Sequence, residues 1–201
     1  MSSSSSLLVR QGCVLSAKQH QSLCPRQVLG VRMGVAGLEW FDLPPVPDKR
    51  ILVFTETDGC FADGVIAATG CTVGHRTLRV IDYGRVALTM VDSTTAEAIR
   101  IAPHADVRTR SAQYAPEEPR GYEQQLLGYE RMPADELLHI TPVALTLDLP
   151  ALIGRPGVRV NCARCGEEVL NGREITTEAR AVCAGCAGAA YYCARAAAHT
   201  A

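Results

Sequence analysis

Residues 50–70 read RILVFTETDGCFADGVIAATG, a short apolar run followed by a segment that ends in glycine. The four consecutive apolar residues Ile51–Phe54 are typical of a buried strand. Asp58 is suited to cap the next segment, Cys60–Thr69, and Gly70 is a natural helix stop. The stretch therefore predicts a strand that leads directly into a helix.

A second helix is predicted upstream of this strand. Val28, Val31, Val35 and Leu38 recur at spacings of three and four, which is the pattern of one apolar helix face. Pro25 suits the first turn, where its missing N–H is not needed, so the helix is expected from Pro25 to near Phe41.

The N-terminal end carries a serine run. Because serine buries no apolar surface that would offset the entropy of ordering, residues 1–12 are expected to be disordered, with structure starting at Cys13.

Downstream, runs rich in β-branched residues predict strands. Thr77–Ile81 and Arg85–Val91 flank an Asp-Tyr-Gly turn and predict a hairpin, and Glu97–Ala102 and Ile140–Leu147 predict two further strands. Several prolines break the polar segment 103–133, which predicts short helices there. The sum is an α+β core domain over residues 13–153, with helices packed on a mainly antiparallel sheet.

A second, smaller module is predicted over residues 157–201, after glycines that mark a boundary. Two C-x-x-C pairs separated by 17 residues are typical of a tetrahedral zinc site, here one that is structural because four thiolates leave no open position. A hairpin over Glu168–Val182, with Asn171-Gly172 at its turn, is expected to join the pairs in a zinc-ribbon-like fold. Two disulfides, idle buried thiols and an iron–sulfur cluster are the alternatives. The four predicted ligands are Cys162, Cys165, Cys183 and Cys186.

Composition excludes several classes of protein. The nine cysteines are odd in number and paired as C-x-x-C, which favours a reducing, cytoplasmic compartment over a secreted disulfide framework. A net charge of -1 gives no broad attraction for nucleic acid, so nucleic-acid binding is not expected. No run approaches the roughly 20 apolar residues of a membrane helix, so a soluble protein is expected.

A second group of candidate ligands lies in the predicted core domain, namely His20, Cys24, Cys60 and Cys71. Cys24 and Cys60 each open a predicted helix, where the dipole and free N–H groups favour the thiolate and lower its pKa. Either thiol is thus a candidate metal ligand or catalytic nucleophile, against the simpler interpretation as small buried side chains. A continuous helix from Cys60 to Cys71 would separate its ends by about 16 Å, so either the helix is shorter or a second copy of the chain supplies a ligand.

Several short motifs resemble one known family, that of the E subunit of formylmethanofuran dehydrogenase. The matching stretches run in order from about His20 to Ile101, and the family often carries a C-terminal cysteine zinc module. The motifs are HQSLCP at 20–25, TETDGC at 55–60, DGVI at 63–66, TGCTVG at 69–74 and DYGRVA at 82–87.

The resemblance implies an intertwined homodimer with a small-molecule cleft lined by the cysteine and histidine positions, often with a second bound metal. It also implies an accessory role beside molybdenum or tungsten formylmethanofuran dehydrogenase, whose redox chemistry belongs to other subunits. The chain departs from the family pattern where Ser22 replaces a second histidine and Arg26 replaces a glycine. A weaker or altered core metal site follows, with His75 either compensating or lying in a solvated loop.

Three functions are therefore weighed. The first is a metal-binding protein similar to the E subunit of formylmethanofuran dehydrogenase. The second is an enzyme that uses Cys24 or Cys60 as a nucleophile or as a ligand to a catalytic metal. The third is a zinc-ribbon adaptor that binds a protein partner. Cys13 and Cys193 receive no role.

Overall fold

The computed structural model describes residues 3–44, 49–154 and 157–193. The chain divides into two compact units, residues 1–146 and 147–201. Residues 1–2 of the predicted disordered segment and 194–201 of the predicted zinc module lie outside the described residues.

The first unit contains six helices and five strands among its described residues. In chain order they are α1 Ser3–His20, α2 Pro25–Trp40, β1 Ile51–Thr55, α3 Cys60–Thr69, β2 Leu78–Val80, β3 Leu88–Asp92, β4 Ala98–Pro103, α4 Val107–Tyr114, α5 Gly121–Arg131, α6 Ala134–Leu137 and β5 Leu138–Val143.

The five strands form one sheet in the order β2-β1-β3-β4-β5. β1 pairs with β2 in parallel, and the other three pairings are antiparallel. A parallel pair needs a crossover connection, and α3 supplies it between β1 and β2. The predicted α+β class with a mainly antiparallel sheet is confirmed.

The strand and helix predicted for residues 50–70 are present, with β1 buried along its whole length. Gly70 adopts the left-handed conformation that ends α3, with φ 68°. The predicted cap is wrong, because Gly59 and not Asp58 occupies the N-cap position. Gly59 has φ 68°, a backbone region that a side chain at this position would disfavour.

The hairpin predicted over Thr77–Val91 is wrong. β2 and β3 lie on opposite sides of β1 and do not pair with each other. The connection between them crosses the end of β1, where the Glu56 carbonyl oxygen accepts hydrogen bonds from the amides of Tyr83 and Arg85 at 2.9 and 3.1 Å. Long-range pairing with β1 therefore outweighs the local turn signal.

Disorder predicted for residues 1–12 is also wrong where the structure describes them, because α1 begins at Ser3. One face of α1 is buried at Ser5, Val9, Cys13 and Ser16, with helical spacing of four, four and three. The buried Ser16 is hydrogen bonded, since its hydroxyl accepts from Gln27 Nε2 at 2.8 Å. Packing on the core thus offsets the ordering entropy that the serine composition alone leaves uncompensated.

The helices α2 and α3 touch backbone to backbone. A Cβ built on Gly30 would lie 2.2 Å from the Phe61 carbonyl oxygen, and one built on Gly64 would lie 2.2 Å from that of Gln27. Further along, Gly34 faces Ala68. Residue numbers rise together on both helices, so the helices run in parallel with their N-termini at the same end.

Arg32, on α2, holds the end of α5. Its buried guanidinium donates hydrogen bonds to the carbonyl oxygens of Tyr129, Glu130 and Met132 at 2.5, 2.9 and 2.7 Å. These carbonyls belong to the last turn of a helix, where intrahelical donors are missing. Cys13 packs nearby, and burial raises the pKa of its thiol to about 12.

The second unit is described up to residue 193. It contains the helix α7 Leu149–Ile153, the strands β6 Arg159–Asn161, β7 Glu168–Leu170, β8 Ile175–Thr177 and β9 Arg180–Val182, and a π-helical turn at Gly185–Ala189.

The single hairpin predicted over Glu168–Val182 is wrong. β7 pairs backwards with β6 and β8 pairs forwards with β9, which gives two short antiparallel hairpins. Asn171 and Gly172 do form a turn, with φ 59° and 69°, but it joins the two hairpins and does not close one. In the part of the chain that the structure describes, no helix has the length and apolar character needed to cross a membrane.

Candidate functional site

The four cysteines predicted as ligands converge in the second unit. The sulfurs of Cys162, Cys165, Cys183 and Cys186 all lie within 4.8 Å of one another. Those of Cys165 and Cys183 are 3.9 Å apart. All nine cysteines of the chain are free thiols in this structure. The predicted four-cysteine cluster is therefore assembled by the fold.

Each C-x-x-C pair lies at a tight turn next to one of the hairpins. The first turn joins β6 to β7, with the Gly166 amide donating to the Cys162 carbonyl oxygen at 2.9 Å. Gly166 has φ 79°, which a glycine adopts without strain. The second turn follows β9, with the Ala187 amide donating to the Cys183 carbonyl oxygen at 3.0 Å. Both turns point two sulfurs to the same place.

Contacts between the two turns hold the cluster together. The Cys183 amide donates to the Cys162 sulfur at 3.2 Å. The Arg164 guanidinium donates to the Cys186 carbonyl oxygen at 2.5 Å, and the Ala163 amide donates to the Ala181 carbonyl oxygen at 2.9 Å. Arg164 was not predicted as part of the site, since its position between two cysteines carries no ligand signal.

The four thiols differ in acidity. Hydrogen bonds from the backbone amides of Cys165 and Cys183 lower the pKa of Cys162 to about 6. Hydrogen bonds shared with Cys183 and Cys165 raise the pKa of Cys186 to about 12. The first thiolate therefore forms on Cys162, and a cation that recruits all four sulfurs must displace protons from the others.

In the first unit, the structure brings Cys24 and Cys60 together. Cys24 is the N-cap of α2 and Cys60 is the first residue of α3, and the parallel pairing of these helices places both at one end. The Cys60 thiol shares a hydrogen bond with the Cys24 side chain, and both residues are partly exposed. We refer to Cys24 and Cys60 as the core dithiol.

The lowered pKa expected for Cys60 is wrong. Burial raises the pKa of the Cys60 thiol, and the neighbouring Cys24 sulfur raises it further. The Arg26 guanidinium acts in the opposite direction but does not reverse the shift. Desolvation and a second sulfur thus outweigh the helix N-terminus.

His20 lies at the end of α1, where its Nε2 is 2.8 Å from a carboxylate oxygen of Asp63. Asp63 stands one turn after Cys60 on α3. The Tyr122 hydroxyl donates to the Leu23 carbonyl oxygen at 3.3 Å, next to Cys24. Sequence reasoning missed the Asp63 partnership and Tyr122, because neither follows from spacing along the chain.

Cys71 and His75 are not brought to the core dithiol within this chain. α3 separates Cys60 from Cys71 by ten helical residues, about 15 Å of helix rise. Cys71 is buried with its sulfur 3.6 Å from the Ile51 carbonyl oxygen. His75 lies in the exposed turn beyond Cys71, so it does not replace the ligand lost at Ser22.

The core residues do not fit a preassembled metal site. Among the residues that the structure describes, the four-cysteine cluster is the one group of three or more His, Cys, Asp or Glu ligand atoms within 4.8 Å. His20 is instead held by Asp63. An open cleft of about 470 Å³ does border α1 and α3, but the residues that line it are Leu8, Leu15, Ile66 and their neighbours, and not the core dithiol.

Comparison with known proteins places this architecture. The family model described as FmdE, molybdenum formylmethanofuran dehydrogenase operon, matches residues 19–139, more than half of the chain. The chain therefore belongs to the FmdE family, which confirms the resemblance seen in the sequence.

Two relatives define how far the likeness extends. An FmdE-like protein of tungsten formylmethanofuran dehydrogenase from Syntrophus aciditrophicus shares the fold, with a TM-score of 0.61, 20% identity and coverage of 92% of this chain and 95% of that chain. A probable S-adenosyl-L-methionine-binding protein from Archaeoglobus fulgidus is 37% identical over 98 residues, which are 46% of this chain and 27% of the relative. The chain thus spans little more than a quarter of the length of that curated relative.

Proposed function

We propose that this chain is a metal-binding FmdE-family protein whose second unit holds one structural zinc ion through Cys162, Cys165, Cys183 and Cys186. The observation that carries this proposal is the convergence of the four sulfurs within 4.8 Å. Four thiolates are a donor set typical of closed, structural zinc sites.

The spacing of the sulfurs favours a single ion over a cluster. Four thiolates in a tetrahedron with Zn–S bonds of about 2.3 Å stand about 3.8 Å apart. The 3.9 Å separation of the Cys165 and Cys183 sulfurs is close to that value. A four-iron cluster inserts several iron and sulfide atoms between its cysteines, so its ligand sulfurs stand farther apart.

A structural role follows from the size of the second unit. Its four strands have three residues each, and of its described cysteines and aliphatic residues on β6–β9 only Cys162 and Val182 are buried. So small an apolar core does not offset the entropy of ordering, and metal coordination supplies the missing free energy. The two hairpins are expected to depend on the ion.

For the core dithiol we propose weaker binding of a thiophilic metal ion. Cys24 and Cys60 would supply two thiolates, and His20 would assist after leaving Asp63. Cys71 would have to come from a second copy of the chain to take part. The loss of one histidine at Ser22 and the His20–Asp63 ion pair both argue for an affinity below that of the four-cysteine cluster.

We further propose an accessory, homodimeric protein of the FmdE type. Support for a dimer comes from α1, where Leu7, Val14 and Leu15 have 56%, 51% and 50% of their surface exposed and recur at spacings of seven and eight. Such an apolar helix face is typical of a protein contact. Light scattering should give twice the chain mass for the wild type and the chain mass for Leu15→Glu.

Metal analysis of matched variants tests the metal proposals. Purified wild type should carry about one zinc per chain, plus a smaller amount of a second metal. Cys162→Ser should remove the zinc. Cys24→Ser should remove the second metal and leave the zinc, while Cys193→Ser, at an exposed cysteine outside both groups, should change neither. Zinc that persists in Cys162→Ser would refute the assignment of the cluster.

A further inference from the structure

The core dithiol has the arrangement of a redox pair as well as that of two metal ligands. We propose that Cys24 and Cys60 form a reversible intramolecular disulfide, which makes the core a dithiol–disulfide centre that exchanges with small thiols. The proposal concerns the same two sulfurs as the weaker core metal site and deepens it, since the disulfide cannot bind that metal.

The helix pair brings the two residues within bonding reach. The backbone contact between Gln27 and Gly64 lies one turn after Cys24 on α2 and one turn after Cys60 on α3. Because the helices are parallel, the same close approach continues to their first residues. A disulfide needs Cα atoms about 4.4–6.8 Å apart, a spacing that only helices in backbone contact provide. The shared hydrogen bond shows that the side chains point towards each other.

Accessibility separates this pair from the other core cysteines. Cys24 and Cys60 are partly exposed, whereas Cys13 and Cys71 retain 5% and 2% of their surface. A small disulfide can therefore reach the core dithiol but not the two buried thiols. The guanidinium of Arg26 lies near Cys60 and favours the anionic sulfur that exchange requires.

The chemistry balances with a low-molecular-weight disulfide such as oxidised glutathione as oxidant. One thiolate of the pair attacks a sulfur of that disulfide, forms a mixed disulfide and releases one glutathione thiolate. The second thiol loses its proton and attacks the protein sulfur of the mixed disulfide. The Cys24–Cys60 bond forms, the second glutathione leaves, and the protein pair has lost two electrons to the oxidant.

The test uses the full-length, zinc-loaded protein in glutathione buffers, followed by an acid quench, alkylation and peptide mass spectrometry. Cleavage with chymotrypsin after Phe61 separates Cys60 from Cys71 and so identifies the bonded cysteine. In the oxidising buffer, the peptide pair that joins Cys24 to Cys60 should exceed singly glutathionylated forms by about tenfold, because the second thiol acts at high effective concentration. Dithiothreitol should reverse it.

Variants sharpen the result. Cys60→Ser should leave Cys24 as a stable glutathione adduct, and Cys193→Ser should retain the wild-type cross-link. Separate glutathione adducts on Cys24 and Cys60 in the wild type, or a bond between two chains on a non-reducing gel, would overturn the proposal. These wild-type readouts hold even if a variant fails to fold.

Metal measured in the same samples separates this inference from the proposed function. A cross-link without any core metal in the reduced protein supports the disulfide and refutes the weaker metal site. A core metal without a cross-link does the reverse.

Discussion

Gly30 on α2 and Phe61 on α3 lie so close that a Cβ on Gly30 would fall 2.2 Å from the Phe61 carbonyl oxygen. Only a glycine permits this backbone contact. The contact fixes the separation of the helices, and with it the distance between Cys24 and Cys60 at their N-terminal ends. The geometry of the core dithiol thus depends on a residue that has no reactive group.

Substitution of Gly30 by alanine should therefore destabilise the first unit. The added methyl group meets backbone on a facing helix, which cannot rotate away, so the free energy of unfolding should fall by at least about 2 kcal/mol. Urea denaturation followed by circular dichroism measures this change. The Cys24–Cys60 cross-link should also become less abundant, because the helices must move apart.

Gly121→Ala is the matched control for this substitution. Gly121 also lies in a helix, but a Cβ built there meets no described atom within 4 Å. Its stability should be unchanged or slightly higher. Equal losses in the two variants would show that the α2–α3 contact is not the cause.

Arg32→Met should be more damaging than its conservative size suggests. The change leaves the carbonyl oxygens of Tyr129, Glu130 and Met132 without their donor inside the protein. Unsatisfied buried acceptors cost about 1–3 kcal/mol each, so a loss of at least about 3 kcal/mol is expected in urea denaturation. Arg120→Met, at a side chain that is 77% exposed, should lose less than about 0.5 kcal/mol.

Stability should fall in acid partly through Asp92. Hydrogen bonds from the Arg50 guanidinium hold the pKa of the buried Asp92 carboxyl well below its ordinary value of 3.8. A carboxyl with a lowered pKa in the folded state stabilises the protein fully above the unfolded value, and this contribution disappears as the pH falls below it. The loss from this group should therefore begin below about pH 5.

Asp92→Asn tests this origin of acid sensitivity. The variant should be less stable than wild type at pH 7, and its stability should decline less steeply between about pH 5 and 3. Glu97→Gln, at an exposed position in the next turn, should keep the wild-type slope. Parallel pH profiles for wild type and Asp92→Asn would contradict the assignment.

Local signals explain what the sequence could predict of the fold. The apolar run of β1, the stripe on α2 and the glycine after α3 each act within a few residues, and all three elements are present. Predictions failed where distant partners decide. α1 is ordered because Val9 and Cys13 pack on the core, and β2 and β3 are separated because β1 lies between them.

The same distinction applies to the sites. The spacing of the four C-terminal cysteines encodes the cluster, since each pair needs only its own turn. For the core dithiol, the positions of Cys24 and Cys60 at helix starts could be predicted, but the pairing of those helices could not. The His20–Asp63 ion pair and the position of Tyr122 depend on that pairing.

Removal of the metal with a strong chelator should unfold the two hairpins of the second unit. Hydrogen exchange should then show loss of amide protection at residues 159–182, because without coordination the short strands have little buried apolar surface. Amides of β1 and β3, which are paired within the five-stranded sheet, should keep their protection. Protection that persists at 159–182 would show that the hairpins fold without a metal.

The most direct test of a closed zinc site is X-ray absorption at the metal edge of the purified, reduced protein. The Cys24→Ser variant is the sample of choice, because it lacks the second proposed site. The expected spectrum is that of zinc with four sulfur neighbours at about 2.3 Å. A zinc spectrum with nitrogen or oxygen neighbours in place of sulfur, or an iron spectrum with metal–metal scattering, would contradict the proposal.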